Sequence, residues 1–263
     1  MDKLSQQNQS TPDEFLNAKA YKSMNMEETL ASIEKIKDLA SQGKMKEALD
    51  QLKKVAEEIE GFGGKALVVP TDVTDIKSME NLGQMAVDKF GKLSIWVNNA
   101  GGLPDGTPRY LTRTSPEQFN AQLDLNIKAA WSGCVVAASH MSSNGGSIIN
   151  ISSTSSKNMG PNIKNGPYGA SKAAINSLTS TFSLELAPHI RVNAVAPGPI
   201  PTENFIDSMN MDSPEKEEQL KKQINIPLRR WGKPEDIGAA VVFMASPSSG
   251  WITGQCLFVS GGL

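Results

Sequence analysis

A tyrosine and a lysine four residues apart are the first residues of this sequence whose types and spacing could do chemistry. Tyr168 and Lys172 lie in the stretch Tyr-Gly-Ala-Ser-Lys, and this spacing puts both on one face of a helix. A nearby ammonium group favours the phenolate, so we expect Lys172 to lower the pKa of Tyr168. Such a phenol can pass a proton to or from a carbinol or carbonyl oxygen. Taken alone, the pair is more typical of two exposed residues on an ordinary helix.

The pair does not stand alone. An apolar run ends in Asn150-Ile151-Ser152-Ser153, a short way before Tyr168, and further matching pieces lie on both sides. With these residues in this order, the chain resembles the short-chain dehydrogenase/reductase family from about Lys46 to its C-terminus. The resemblance implies a Rossmann-like, doubly wound parallel α/β sheet. It also implies an NAD(P)-dependent oxidoreductase that interconverts a secondary alcohol and a ketone by hydride transfer.

In the family that the chain resembles, four residues carry catalysis. Tyr168 would be the acid/base, and Lys172 would lower its pKa and hydrogen-bond the nicotinamide ribose. Asn126 matches the helix position that anchors a water and connects the lysine to solvent. Ser153 would hold and polarise the substrate oxygen.

The choice of serine has alternatives. Ser152 or Ser155 could take the place of Ser153, because the stretch that leads to Tyr168 is slightly longer than is usual in the family. Ser153 is preferred because it directly follows the apolar strand.

The resemblance also implies contacts with NAD or NADP at three places. An Asp-Val pair would meet the adenine ring, and a small-residue turn would let the backbone pass close to the adenosine ribose, where glycine is needed for lack of a β-carbon. A Pro-Gly-Pro turn would close over the nicotinamide, although proline and glycine give such a turn in any strand-to-loop connection. The residues are Asp72 and Val73 at the first place, Asn99, Ala100 and Gly101 at the second, and Pro197, Gly198, Ile200 and Thr202 at the third, together with Lys172.

One feature of the family is absent from the N-terminal part of the sequence. The family opens with a strand, a glycine-rich turn and a helix whose N-terminus binds the pyrophosphate. Residues 1–45 contain no β-like apolar run, and their only glycine is Gly43. Gly61-Phe62-Gly63-Gly64 follows a helix and precedes a strand, which is the reverse of what phosphate binding needs. We therefore expect a sheet that lacks the family's first two strands, and a binding site for NAD(P) that is impaired.

The elements that must position these residues alternate between apolar strands and amphipathic helices, which indicates a parallel sheet covered on both faces. The functional residues then lie at the carboxyl ends of the strands. We predict strands at 66–70, 93–97, 147–152, 191–196 and 255–259, and helices at 75–90, 117–141, 167–187 and 234–246. Residues 203–224 form a charged helical insert at the position of the family's substrate lid. Met209 and Met211 in this insert suit an adaptable apolar pocket.

The N-terminal part has a different pattern. We expect a polar, loosely ordered leader over residues 1–25. An apolar stripe on residues 30–39 and a second one from Met45 to Glu60 predict two helices joined at Gln42-Gly43-Lys44. Our hypothesis is that this hairpin covers the edge of the incomplete sheet. The predicted organisation is a partly helical segment at 1–45 and a Rossmann-like domain at 46–263.

The composition limits the kinds of partner that we expect this protein to bind. The 26 Lys and Arg residues balance 28 Asp and Glu residues without long charge blocks, which argues against nucleic acid or an anionic membrane. Cys134 and Cys256 lie in apolar surroundings, which favours buried thiols over a disulfide. No signal peptide or membrane span is recognisable, so we expect a cytoplasmic protein. No cluster has metal-ligand spacing. The resemblance implies a homo-dimer or homo-tetramer.

Two further functions remain open beside the oxidoreductase. The first is a cofactor-free lyase or isomerase that uses Ser153 and Tyr168, although Lys172 is most useful with a nicotinamide ribose. The second is a non-catalytic, truncated or recombined homologue that only oligomerises. The fold alone does not separate the three.

Overall fold

The computed structural model describes residues 45–141, 145–157, 164–202, 205–206, 209 and 211–263. The predictions for the leader at 1–25, the helix around residues 30–39 and the break at 42–44 lie outside the described residues. The chain divides into two compact units, with the division between Pro70 and Thr71. The domain boundary after residue 45 stays a prediction.

The first unit contains one described helix, α1 (Met45–Gly61), which was predicted from Met45 to Glu60. The predicted strand at 66–70 is wrong: these residues have no regular structure, and none of them is buried. A strand needs a ladder of hydrogen bonds to a neighbour, and the described residues place 66–70 in no sheet. The apolar run therefore predicted a strand that has no neighbouring strand among the described residues.

The second unit alternates helices and strands as predicted. A 3₁₀ turn, Leu111–Arg113, precedes α3, and another, Thr154–Lys157, follows β2. The elements are α2 (Ile76–Phe90), β1 (Ile95–Asn98), α3 (Pro116–Leu123), α4 (Ala129–Met141), β2 (Gly146–Ile151), α5 (Gly166–Glu185), β3 (Ile190–Pro197), α6 (Pro214–Ile224), α7 (Pro234–Ala245) and β4 (Cys256–Val259).

The described sheet is parallel, with the strand order β1-β2-β3-β4. All four predicted strands after residue 90 are present within about two residues of their expected bounds, the ordinary uncertainty of element ends. In the register, Asn98 lies beside Asn150, and Asn150 lies beside Ala194. The carboxyl ends of β1, β2 and β3 therefore meet at one edge of the sheet.

Helix starts and ends follow local side-chain chemistry. Asp75 caps α2 by accepting a hydrogen bond from the Lys77 amide, and Gly91 ends the helix in the left-handed region at φ 83°, which glycine adopts without a steric penalty. Ser115 and Gln118 form a capping box at the start of α3, which satisfies two backbone donors reciprocally.

The core lies on both faces of the sheet. Ile148 and Val192 belong to a cluster that includes Met141 of α4 and Phe182 of α5. The neighbouring strand residue Ile149 belongs instead to a second cluster, which includes residues of α7. Successive strand side chains point to opposite faces, so burial of both faces gives the three-layer α/β arrangement that the sequence predicted.

The predicted helix at 117–141 is not a continuous α-helix. A π-helical turn, Asp124–Lys128, separates α3 from α4. Such turns widen the helix locally and occur often at functional sites. This turn contains Asn126, one of the predicted catalytic residues.

Two further predictions concern the state of the cysteines and the presence of a membrane span. Both cysteines are unpaired thiols, with Cys134 buried and Cys256 half-buried. Over the described residues, no helix combines the length and the apolar character that crossing a membrane requires.

Candidate active site

A cleft of about 560 Å³ lies where the loops that follow β1, β2 and β3 meet. It brings together nine of the predicted site residues, with Phe205 and Met209 on its wall. The nine are Asn99, Gly101, Ser153, Tyr168, Lys172, Pro197, Gly198, Ile200 and Thr202. The carboxyl edge of a parallel sheet is where ligands bind in this architecture, so the cleft is the candidate active site.

Tyr168 lies in the first turns of α5 and hydrogen-bonds Ser153, which follows the end of β2. Burial raises the pKa of the Tyr168 phenol, and the hydrogen bond with Ser153 acts in the opposite direction. The sequence led us to expect a lowered pKa. The outcome differs because burial disfavours the phenolate.

The three candidate serines have different contacts. Ser152 is buried, and its hydroxyl donates a hydrogen bond to the Lys172 carbonyl at 3.2 Å. The Ser155 amide donates to the Ser153 hydroxyl at 3.1 Å. Ser153 is the one of the three that hydrogen-bonds the Tyr168 phenol, and its catalytic assignment stays a prediction.

Lys172 is 3% exposed. Its Nζ donates to the Ile151 carbonyl at 2.9 Å and lies 5.5 Å from the ring centroid of Tyr168. Burial lowers the pKa of the ammonium group to about 8, because a buried amine is more stable neutral. A substantial fraction of this lysine is therefore neutral near pH 8.

Asn126 is buried behind the cleft wall, and its side-chain amide pairs with the backbone of Gly102. The Gly102 amide donates to Oδ1 at 3.0 Å, and Nδ2 donates to the Gly102 carbonyl at 2.9 Å. A β-carbon at Gly101 would lie 2.8 Å from the Asn126 Oδ1 and 3.2 Å from the Lys172 Nζ. Only glycine therefore fits at position 101, which places the predicted Asn-Ala-Gly turn against both polar side chains.

Gln122 is a residue of this site that the sequence reasoning missed. It is 4% exposed, and its Nε2 donates to the Gly102 carbonyl at 2.8 Å. The available signal was its spacing of four residues from Asn126, which puts both on one helix face. An uncharged glutamine on a helix gives no other indication of a buried contact.

The turn after β3 is held tightly. The Gly198 amide donates to the Val259 carbonyl at 2.9 Å, and a β-carbon at Gly198 would lie 2.7 Å from the Ser260 Cα. Glycine is required here because the backbone of the last strand passes so close. Ile200 and Thr202 follow on the cleft wall.

Three predicted residues, besides Asn126 behind the wall, do not line the described cleft. The Asp72 carboxylate accepts hydrogen bonds from the Thr74 amide at 2.9 Å and the Thr74 hydroxyl at 2.7 Å. These bonds lower the pKa of Asp72. Val73 packs on the core cluster around Met79. Ala100, between Asn99 and Gly101, also does not line the cleft.

A second cleft of about 270 Å³ adjoins the first and shares Leu103, Asn165 and Tyr168 with it. Asn165 precedes α5, and among the described residues its buried Oδ1 has no hydrogen-bond partner. The Asp105–Arg109 ion pair borders this second cleft. Neither Asn165 nor the second cleft was predicted from the sequence.

Comparison with known proteins agrees with the family resemblance seen in the sequence. The profile of the family described as enoyl-(acyl carrier protein) reductase matches residues 39–263. Glucose 1-dehydrogenase 2 of Bacillus subtilis is 37% identical over 204 residues, which are 76% of either chain. The 7alpha-hydroxysteroid dehydrogenase of Escherichia coli K12 is 35% identical over 81% of this chain and 80% of its own.

Solved structures match this chain with similar sequence identity and coverage. A 7alpha-hydroxysteroid dehydrogenase in complex with NADH and 7-oxo glycochenodeoxycholic acid has a TM-score of 0.72 and 34% identity, over 81% of this chain and 80% of its own. A gluconate 5-dehydrogenase from Burkholderia cenocepacia in complex with NADP and tartrate has a TM-score of 0.72 and 29% identity, over 81% of both chains.

Proposed function

The chain belongs to the short-chain dehydrogenase/reductase family, and from this premise we propose that it is an NAD(P)-dependent oxidoreductase that interconverts a secondary alcohol and a ketone. The observation that carries the proposal is the meeting of Ser153, Tyr168 and Lys172 on the wall of one cleft. The three come from the end of β2 and from α5, and they are the residues that the family pattern assigns to catalysis.

The chemistry follows from the protonation states. A phenol with a raised pKa is protonated at neutral pH, so Tyr168 would donate its proton to a ketone oxygen during reduction and accept it back during oxidation. Ser153, which hydrogen-bonds the phenol, would hold and polarise the same oxygen. Asn126 supports this wall through its contacts with Gly102.

The residues present fit a nicotinamide nucleotide on the cleft wall. Gly101 and Gly198 both line the cleft, where the lack of a β-carbon lets their backbone pack against Asn126 and Lys172 and against Ser260. Lys172 adds a buried donor to the same wall. We propose that Asn99, Ala100 and Gly101 bind the adenosine side, and that Pro197, Gly198, Ile200 and Thr202 bind the nicotinamide side. The nicotinamide supplies or accepts the hydride when it is bound.

For the adenine ring of the cofactor, we propose contacts with Asp72 and Val73. One carboxylate oxygen of Asp72 already accepts two hydrogen bonds from Thr74. We also propose that the family's first two strands and their glycine-rich turn are absent, because residues 1–45 carry no such pattern. The pyrophosphate would then need another anchor, and affinity for the cofactor would fall.

The proposed substrate is a small alcohol or ketone with apolar and polar parts. Leu103, Phe205 and Met209 give the cleft an apolar wall, and Ser153 and Asn165 add polar groups. The named relatives act on a sugar and on a steroid.

We further propose a homo-dimer or homo-tetramer, with the protein in the cytoplasm. The oligomer proposal is supported by large apolar side chains exposed on the two long helices, namely Trp131 and Val135 on α4 and Leu184 on α5. Burial of this surface against a second copy would remove apolar area from water.

A titration with NADH and with NADPH tests the proposed function, with binding followed by energy transfer from the tryptophans. Saturable binding of either cofactor is expected, and the tighter one settles the cofactor preference. Lys172→Met serves as the matched variant and should weaken binding. If a folded wild-type protein binds neither cofactor at millimolar concentration, the redox function is refuted, and the cofactor-free and non-catalytic alternatives take its place.

A further inference from the structure

The backbone at Gly102 is held by an unusual number of side-chain hydrogen bonds. Its N–H donates to the Asn126 Oδ1, and its carbonyl accepts from the Asn126 Nδ2 at 2.9 Å and from the Gln122 Nε2 at 2.8 Å. Gly102 has a φ of 141°, a region that residues with a side chain rarely adopt. The turn thus has a conformation that glycine adopts without strain and that two side chains hold in place.

Gln122 and Asn126 also hold each other. The Asn126 Nδ2 donates to the Gln122 carbonyl at 3.1 Å, and this contact joins the end of α3 to the π-helical turn. Asn126 has to satisfy two carbonyls with one amide group. Gln122 supplies the second donor to the Gly102 carbonyl, so that this acceptor is paired twice.

Burial raises the cost of losing the hydrogen bond that the Gln122 side-chain amide donates. The residue is 4% exposed, so water does not readily replace its hydrogen bond. An unpaired buried polar group costs more than a typical hydrogen bond contributes. Its partner lies on the wall of the main cleft, directly beside Gly101, where a β-carbon would lie 3.2 Å from the Lys172 Nζ.

We propose that Gln122 is a positioning residue for the cofactor-binding wall. Gln122 and Asn126 both donate to the Gly102 carbonyl, and together they hold the backbone of residues 101–103 in its position beside Lys172. Gln122 does not line the main cleft; it borders the second, smaller one. Its effect on the main cleft therefore passes through the Gly102 backbone. The binding consequence rests on the proposed function, whereas the conformational consequence does not.

The test uses Gln122→Met, which keeps the side-chain length, and Gln122→Leu, and both replacements lack a hydrogen-bond donor. Asn120→Ala, an exposed residue of α3, is the matched control. Amide hydrogen exchange of the protein alone should become about 3- to 10-fold faster at residues 99–106 in both Gln122 variants, as expected for a lost hydrogen bond. Strand β2 should keep its wild-type exchange rates.

The kinetic arm tests positioning against a general loss of stability. For both Gln122 variants, the KM for the nicotinamide cofactor should rise about 3- to 10-fold, with kcat within about twofold of wild type. Unchanged exchange at residues 99–106 in both variants would overturn the proposal, as would equal acceleration at β2. If wild type binds no cofactor, the proposed function fails, and the exchange comparison still decides the positioning role.

Discussion

Two groups of polar side chains lie close together in this protein and differ in how their hydrogen bonds are used. The sheet network consists of Asn98, Asn150 and Thr179, and it lies where the sheet meets α4 and α5. The cleft triad consists of Ser153, Tyr168 and Lys172, on the wall of the main cleft. Both groups draw residues from the end of the sheet and from α5.

In the sheet network, polar groups pair with one another. The Asn98 Nδ2 donates to the Asn150 Oδ1 at 2.8 Å, the Asn150 Nδ2 donates to the Thr179 hydroxyl at 2.9 Å, and that hydroxyl donates to the Ile175 carbonyl at 2.8 Å. None of these groups titrates near neutral pH. Such a network fixes the position of β1, β2 and α5 relative to one another.

In the cleft triad, burial perturbs titratable groups that remain on the cleft wall. The pKa of Tyr168 is raised and that of Lys172 is lowered to about 8. Perturbed titratable groups in a cleft are typical of functional sites. The comparison indicates that the sheet network contributes to stability and the cleft triad to chemistry, and the predictions below separate these two roles.

Tyr168→Phe should have the largest effect on turnover. Loss of the proton donor should reduce kcat about 10²- to 10⁴-fold, whereas the free energy of unfolding should change by less than about 1 kcal/mol, because only one hydroxyl is lost. Steady-state kinetics and urea unfolding measure the two quantities. A large loss of stability in this variant would remove the distinction between the two groups.

Ser153→Ala should reduce kcat about 10²-fold, because one polarising contact to the substrate oxygen is removed. Ser155→Ala is the matched control, since in the structure it is the amide of Ser155, and not its hydroxyl, that contacts Ser153. Turnover of the control should stay close to wild type. A larger loss in Ser155→Ala than in Ser153→Ala would show that the wrong serine was assigned.

Asn150→Leu should destabilise the fold by about 2–4 kcal/mol, because it leaves Asn98 and Thr179 without their shared partner in the core. The cofactor dissociation constant measured on the remaining folded protein should stay within about threefold of wild type, a change below one hydrogen bond. Chemical denaturation checks the first value, with Asn120→Leu on the surface as the control. Unchanged stability would show that the sheet network is not structural.

The smallest expected effect is on the pH dependence of stability, and it is measured by comparing wild type with Lys172→Met. The pKa of Lys172 is lowered by folding, so between pH 7 and 9 the unfolded chain binds more protons and stability rises with pH. Relative to Lys172→Met, wild type should gain about 1 kcal/mol of unfolding free energy from pH 7 to 9. The difference between the two proteins cancels the buried cysteines, whose raised pKa values act in the opposite direction. Parallel pH profiles would contradict the burial of the charge.

Much of the second unit could be predicted from the sequence. The strands from β1 to β4 and the helices between them follow from local apolar runs and from caps such as Asp75 and Gly91. Tyr168 and Lys172 could be identified because their spacing alone puts them on one helix face. These features depend on residues close together in the chain, so they can be read from the sequence.

Other features depended on neighbours that are distant in sequence. Residues 66–70 are apolar enough for a strand but belong to no sheet in the described chain. The π-helical turn at Asn126 and the contact of Gln122 with Gly102 arise where the helix meets a loop twenty residues earlier. No periodicity in the sequence reveals such a contact.

The sequence by itself determined the order of the elements, the family pattern and the types of group in the site, because backbone propensity and side-chain chemistry are local. Only the tertiary structure decided that Ser153 contacts Tyr168, that the pKa of Tyr168 rises and that Lys172 has a pKa of about 8. The physical reason is that burial depends on how the sheet, α5 and the loops pack, and burial disfavours the charged form of both groups.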